Sequence, residues 1–153
     1  MEKLFFDSGI KEYQINEDGV LRFNPSDPNV YARFMDVMDK IRAVEDELLA
    51  EAKEIEKAED QTQSGAAVLR LMAEADRKTK KLLSEVFGEE NDFDRILGGV
   101  NLLAVASNGE HVITNFLAAL QPIMLAGAEN CAKQQADTAV AEAKLNRAQR
   151  RAQ

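Results

Sequence analysis

The sequence predicts a mainly α-helical protein with a small N-terminal β-hairpin, an α+β fold whose body is a long helix followed by a helical hairpin. The composition is rich in Ala, Glu, Lys and Leu, has no Trp and is only 6% aromatic, which is typical of a helical protein with a thin aliphatic core. Alternation of apolar and polar residues is confined to the first part of the chain, where it indicates strands. Later apolar residues recur at steps of three and four, which indicates helices.

The β-element is predicted within residues 4–24. Tyr13 and Ile15 alternate with polar neighbours, as do Leu21 and Phe23, and the turn-forming residues 16–19 lie between the two runs. These two runs predict a β-hairpin. The apolar run 4–6 is a candidate third strand.

The first helix is predicted to begin at Pro28 and to reach about Asp60. Asp27 can accept hydrogen bonds from free helical N–H groups, and proline suits the first helical position. An apolar stripe then follows one face, formed by Val30, Phe34, Val37, Ile41, Val44, Leu48 and Ile55.

Residues 61–65 predict a short polar loop between this helix and the next. A second apolar seam follows, formed by Val68, Met72, Ala75, Thr79, Leu82 and Val86. Gly88 is expected to end the second helix. The two helices therefore predict an antiparallel helical hairpin.

The rest of the chain is predicted to be a connector, a late helix and a tail. The connector surrounds Phe93, and a helix follows Gly109, with Pro122 expected to kink or divide it. Residues 1–133 are interpreted as one domain, with 28–133 as its helical body. Residues 134–153 are interpreted as a basic tail that is frayed or ordered by a partner.

The charge distribution argues against a nucleic-acid partner. The net charge is −8, and residues 1–60 hold 16 of the 27 acidic residues but 8 of the 19 Lys and Arg, so the acidity belongs to the front of the chain. Phosphate binding needs a concentrated basic patch. No nucleic acid is therefore expected as a partner.

The sequence also predicts a cytoplasmic protein without a membrane span. The first residues lack the basic and long apolar regions of a secretion signal, and Cys131 is the only cysteine. The apolar segment 112–128 is interrupted by four residues, Thr114, Asn115, Gln121 and Pro122. Such an interrupted segment is not expected to cross a membrane.

No catalytic, metal or cofactor site is predicted. His111 and Cys131 are each the only residue of their type and stand 20 positions apart, so they are read as a surface residue and a small hydrophobe. The acidic run 45–47, with Glu51 and Glu54, could hold a divalent cation, but its position opposite the apolar seam favours a solvated face.

Two segments are candidate protein-binding surfaces. The stripe Ile113, Phe116, Leu117 and Leu120 follows a glycine-containing connector and is flanked by few charges, so it could receive a partner helix or could form internal core. The basic ending, with Arg147, Arg150 and Arg151, could contact an anionic protein or RNA or could simply stabilise a helix C-terminus.

Four segments of the chain carry a family resemblance: FNPSDPNVYARF at 23–34, SEVFG at 84–88, FLAALQPI at 116–123 and LNRAQRR at 145–151. They resemble segments of the tail assembly chaperones of long-tailed bacteriophages and prophages, especially those of Gram-positive hosts. The first is similar to the family's junction between a β-rich start and a long charged helix, and the others are similar to later parts of the same family. The resemblance spans most of the chain.

The resemblance implies a non-catalytic protein of the host cytoplasm that is absent from the finished virion. It implies binding to the tape measure protein, which is kept soluble while tail tube subunits assemble around it, and hence the tail tube protein as a second partner. The alternative is a structural tail or head–tail joining component that stays in the virion. An enzyme is the third alternative, and self-association is left open.

Overall fold

The computed structural model describes residues 1–57 and 61–152, with side chains in the second helix described from Ser64 onwards. Six elements follow one another along the chain: β1 (Lys11–Ile15), β2 (Gly19–Phe23), α1 (Pro28–Glu56), α2 (Gln61–Phe87), α3 (Phe93–Ile96) and α4 (Val112–Arg151). The predicted fold class, mainly α with a small N-terminal β-hairpin, is confirmed.

The two strands form the predicted antiparallel hairpin. Lys11 lies opposite Phe23, Ile15 lies opposite Gly19, and Asn16 takes the positive φ of 53° that the turn requires. Gly19 is needed for packing, because a Cβ there would overlap the carbonyl oxygen of Ile96. The prediction of a third strand at 4–6 was wrong, since these residues form neither helix nor strand.

Helix α1 begins as its sequence predicts. Pro28 is its first residue, and the side chain of Asp27 accepts a 2.9 Å hydrogen bond from the backbone N–H of Asn29. The helix ends at Glu56, with Lys57 as its C-cap; the predicted end near Asp60 lies outside the described residues. The apolar stripe faces inward, with Val30, Val37 and Ile41 buried and the remaining members half-buried.

Helix α2 packs against α1 as an antiparallel partner. The guanidinium of Arg33 donates to the carbonyl of Val86 at 3.0 Å, and the hydroxyl of Ser64 donates to the carbonyl of Ile55 at 3.2 Å. The prediction of a loop at 61–65 was wrong, because α2 begins at Gln61. A single glycine costs a helix only about 1 kcal/mol, so Gly65 does not prevent the helix from starting earlier.

The segment predicted as a connector belongs to the core. Gly88 ends α2 with φ of 110°, and Asp92 then caps the single turn α3 by accepting hydrogen bonds from two backbone N–H groups. Phe93, Ile96 and Leu102 are buried in the same cluster as the helices.

Helix α4 runs from Val112 to Arg151, so of the two expectations for Pro122, a kink or a division, the division was wrong. Its first half lies on the body and buries one stripe, Ile113, Phe116, Leu120, Met124 and Gly127. The same helix continues through the predicted tail, residues 134–153, as far as Arg151.

A line of aromatic rings passes through the core. Neighbouring ring centroids lie 5.2 Å apart for Tyr13 and Phe23, 4.8 Å for Phe23 and Phe87, 5.7 Å for Phe87 and Phe93, and 5.9 Å for Phe93 and Phe116. The expectation of an aliphatic core was therefore incomplete. These few aromatic residues join β1, β2, α2, α3 and α4 into one cluster.

Candidate protein-binding surfaces

The predicted binding stripe on α4 lies mostly inside the protein. Ile113, Phe116 and Leu120 belong to the buried core, and Leu117 packs against it half-buried. A partner could reach these side chains only where they border the surface. Their assignment to a partner stays a prediction.

Two of these residues also border an open apolar groove of about 680 Å³ between β1 and the first half of α4. Phe116, Ala119 and Leu120 line one side, and residues 13–16 of β1 and its turn line the other. Among the described residues that line the groove, none is Asp, Glu, Lys or Arg. Burial at this groove raises the pKa of the Tyr13 hydroxyl.

The groove follows the edge of β1. Side chains of successive strand residues point to opposite faces, so a surface lined by Tyr13, Gln14 and Ile15 together lies along the strand edge. Within the described chain the sheet has only the order β1–β2. The outer edge of β1 is therefore open.

The second half of α4 extends from the body as an exposed helix. Its last contacts with the body include the amide of Asn130, which donates to the Ser26 hydroxyl at 3.2 Å. Every side chain from Ala132 to Ala152 is exposed, among them Val140 and Leu145. A 40-residue helix is about 60 Å long, so roughly half of this length lacks packing partners within the described chain.

The three predicted arginines lie on this exposed half. Arg147, Arg150 and Arg151 are all solvent-exposed, and the last two stand in the final turn of α4. Cations there are favoured by the negative end of the helix dipole. The structure therefore separates these arginines from the stripe around Phe116 by most of the helix.

The N-terminal segment carries the most exposed large apolar side chains of the described surface. Leu4, Phe5 and Phe6 are 87%, 86% and 79% exposed. Their interpretation as a candidate third strand did not anticipate this exposure. The useful signal was the run of three adjacent apolar residues, since a half-buried strand would alternate.

An ionic cluster that was not predicted from the sequence connects α2 to α3 and to the segment after it, with Lys80 and Asp76 buried and Asp94 exposed. The Lys80 ammonium lies 2.7 Å from Asp76 Oδ2, 2.6 Å from Asp94 Oδ1 and 2.8 Å from the carbonyl oxygen of Val100. The other oxygen of Asp76 accepts a 2.8 Å hydrogen bond from the backbone N–H of Leu102. The i,i+4 spacing of Asp76 and Lys80 beside the apolar seam was the available signal.

The cluster is suited to stabilising the fold rather than to catalysis. Burial alone lowers the pKa of Lys80, but its hydrogen bonds and attraction to Asp76 and Asp94 outweigh burial and hold this pKa above its ordinary value. The raised pKa keeps Lys80 protonated, so it has no lone pair to act as a nucleophile or base, and its three N–H groups are used by Asp76, Asp94 and Val100. An adjoining cavity of about 610 Å³ opens to solvent.

The remaining candidates for chemistry are far apart. His111 caps α4 and its Nδ1 lies 2.7 Å from the carbonyl oxygen of Leu103, whereas Cys131 is half-buried some 30 Å further along the helix at 1.5 Å per residue. The two therefore do not form a dyad. In the described part of the chain no group of three or more His, Cys, Asp or Glu side chains is placed to hold a metal ion.

One helix of the described chain, α4, is long and apolar enough to cross a membrane by length and composition alone. The sequence analysis expected its polar interruptions to prevent this. The same two criteria are met by core helices of proteins that never enter a membrane, and α4 buries its apolar stripe against the body.

Comparison with known proteins gives no relative for this chain: no family model, no curated protein and no solved structure matches it.

Proposed function

We propose that this protein is a non-catalytic tail assembly chaperone of a long-tailed bacteriophage or prophage, which binds the tape measure protein, keeps it soluble and promotes assembly of the tail tube. The proposal starts from the resemblance of four segments to that family. The structural observation that supports it best is the exposed second half of α4.

An exposed helix of this length suits a helical client. Residues 132–152 are exposed on every side, so this segment lacks the tertiary packing from which most helical stability in proteins comes. Pairing with a second helix would stabilise this segment, as in recognition of a helix by a helix or groove. Val140 and Leu145 provide large apolar contacts, and the many alanines allow close approach of a client backbone.

The charge of the chain suits the same task. The net charge of the whole protein is −8, and charge far from zero keeps a protein and its complexes dispersed. Arg147, Arg150 and Arg151 place positive charge at the tip of the exposed helix, where they can pair with acidic residues of a client. The body would then act as the solubilising part of the complex.

Co-expression with the tape measure protein tests the proposal. The tape measure protein should be insoluble alone and soluble with the full chain. A Val140→Glu, Leu145→Glu double variant should lose this rescue, because it places two charges on the exposed half of α4 while leaving the body intact. Equal solubility with and without this protein would disprove the chaperone function.

A matched control is available on the helical hairpin. Leu49 and Leu69 are exposed on α1 and α2, so a Leu49→Glu, Leu69→Glu double variant adds the same charges elsewhere. It should retain the rescue. If both double variants lose it, the added charge acts through the whole protein and the exposed half of α4 is not the client site.

Analysis of purified virions separates the proposal from its structural alternative. A chaperone acts in the host cytoplasm and should be missing from mature particles, whereas a tail or head–tail joining component should be present in defined copy number. Detection of this chain in virions by mass spectrometry would favour the structural component.

A further inference from the structure

We infer that this protein forms a two-fold dimer in which the N-terminal arm of each copy, residues 1–8, lies in the groove between β1 and α4 of the other copy. This inference concerns self-assembly and is independent of the proposed client. It rests on two uncovered surfaces, the apolar arm and the uncharged groove, that each chain carries at the same time.

The arm is anchored at its base and free beyond it. Asn24 donates a 3.1 Å hydrogen bond to the carbonyl of Ser8, and Asp7 accepts a 2.9 Å hydrogen bond from the backbone N–H of Gly9. Gly9 has φ of 73°, and a Cβ there would come within 2.6 Å of the Asn24 amide. The base of the arm is therefore held against Asn24.

The arm does not cover the groove of its own chain. Leu4, Phe5 and Phe6 remain about four-fifths or more exposed, while the groove is open along Tyr13, Gln14 and Ile15. Adjacent large apolar side chains of this kind mark interaction sites when they remain on the surface. Each chain therefore presents one apolar segment and one site able to receive it.

The groove matches an extended apolar segment in both chemistry and geometry. Its described lining is free of ionised side chains, as is the run from Leu4 to Phe6. The open edge of β1 adds unpaired backbone groups, to which an extended segment can add as a strand. Alternate side chains of the arm would then enter the groove.

A second copy of the chain would cover more of the exposed apolar surface than an unrelated partner would. An unrelated chain in the groove leaves the arm exposed, whereas exchange between two copies covers both surfaces on both chains. Burying Phe5 and Phe6 removes roughly 300–500 Å² per arm. With the smaller exposed lining of each groove added, two exchanged arms bury about 1,000–1,400 Å², which reaches the roughly 1,000 Å² that a specific interface needs.

The mass of the full chain in solution, measured by light scattering, tests the inference. Wild type should give about 34 kDa, twice the 17.0 kDa of one chain. A Phe5→Ser, Phe6→Ser variant should give one chain's mass with an unchanged far-UV spectrum, because both side chains are exposed within one copy. Leu69→Ser removes an exposed apolar side chain from α2 and should remain dimeric.

The groove is tested separately with neighbouring alanines of α4. Ala119 and Ala118 are both exposed, but only Ala119 lines the groove. Ala119→Arg should give the monomer mass, and Ala118→Arg should remain dimeric. A monomeric wild type, a dimer that survives the serine substitutions, or a dimer that survives Ala119→Arg would each overturn the inference.

Cross-linking between two differently marked copies identifies the exchange directly. On a Cys131→Ser background, one copy carries Phe6→Cys and the other Ala119→Cys. A short bifunctional maleimide should join the two mixed copies into a covalent heterodimer, and an added peptide of residues 1–10 should reduce its yield. A dimer without this cross-link would have a different interface and would overturn the inference.

Discussion

The side chain of Asn91 pairs with both backbone groups of Arg22, as a neighbouring strand would. Its Oδ1 accepts from the Arg22 N–H at 3.0 Å, and its Nδ2 donates to the Arg22 carbonyl at 2.9 Å. The same Nδ2 donates to the carbonyl of Phe87 at 2.8 Å. Asn91 therefore covers the outer edge of β2 and ties it to the end of α2.

Replacing Asn91 with Asp should destabilise the protein. The carboxylate cannot donate to the carbonyls of Arg22 and Phe87, and it adds a charge at a site that is 2% exposed. We expect a loss of about 3 kcal/mol, or roughly 6–12 °C in Tm for a domain of this size. Asn29→Asp, at an exposed position, should change Tm little in the same thermal scan; equal effects would contradict the role of Asn91.

Local signals explain which elements could be predicted from the sequence. Alternation of apolar and polar residues around a turn is enough to predict the hairpin, and Asp27 followed by Pro28 is enough to predict the start of α1. These signals lie within a few residues of the structure that they specify. They were sufficient for the fold class and for the antiparallel pairing of α1 with α2.

Long-range contacts explain what could not be predicted. Asn91 bonds to Arg22, which is 69 residues away in the sequence. Lys80 contacts Asp94 and Val100 only because of the path that the chain takes after Gly88. No local pattern specifies such pairs. The same limit applies to Phe116 and Leu120, because a periodic stripe shows that one face is apolar but not whether the chain itself covers it.

Removing the Lys80 ammonium should destabilise the fold. Lys80→Met leaves Asp76 as a buried carboxylate that has lost its cationic partner, and loss of one member of a buried ion pair costs about 3–5 kcal/mol. Chemical denaturation at neutral pH measures this change. Lys81→Met, at the exposed neighbouring position, is the control, and a similar loss in both variants would contradict the prediction.

The same residue should make stability depend on alkaline pH. The pKa of Lys80 and that of Tyr13 are both raised in the folded protein, so the folded state holds these protons more tightly than the unfolded state. Their stabilisation is present below the ordinary values of about 10.4 for Lys and about 10 for Tyr and is lost as the pH rises through the folded-state values.

Urea midpoints measured at increasing alkaline pH should separate the two groups. The midpoint should fall more steeply for wild type than for Lys80→Met, and Tyr13→Phe should remove only the part due to the hydroxyl. Identical pH profiles for wild type and Lys80→Met would show that the Lys80 cluster does not contribute.

Replacement by alanine should have opposite effects on stability at two glycines that lie within helices. A Cβ at Gly127 would overlap the carbonyl group of Pro25, whereas a Cβ at Gly65 meets nothing within 4 Å. Gly127→Ala should cost about 1–3 kcal/mol through displacement of α4, and Gly65→Ala should stabilise α2 by roughly 0.5–1 kcal/mol. Thermal scans check both, and a stabilised Gly127→Ala variant would mean that α4 does not approach Pro25 so closely.

Replacing Phe116 and Leu120 with serine should destabilise the fold itself rather than only weaken binding to a partner. Both side chains are buried, and truncating a buried Phe costs about 3–5 kcal/mol before Leu120 is counted. Against a total stability of about 5–15 kcal/mol, the double variant should show a strongly lowered Tm by circular dichroism. Leu125→Ser, exposed on the same helix, should be close to wild type; an unchanged double variant would instead assign Phe116 and Leu120 to a partner surface.

Removing the exposed end of α4 should leave the body stable. Ending the chain at Gln134 deletes residues that are exposed throughout their described part, so calorimetry should show a Tm close to that of the full chain. Ending it at Ile123 also removes the buried Met124 and Gly127 and should lower the Tm sharply. A drop of more than about 10 °C for the first truncation corresponds to several kcal/mol and would mean that residues 135–153 pack on the body instead of standing free for a client.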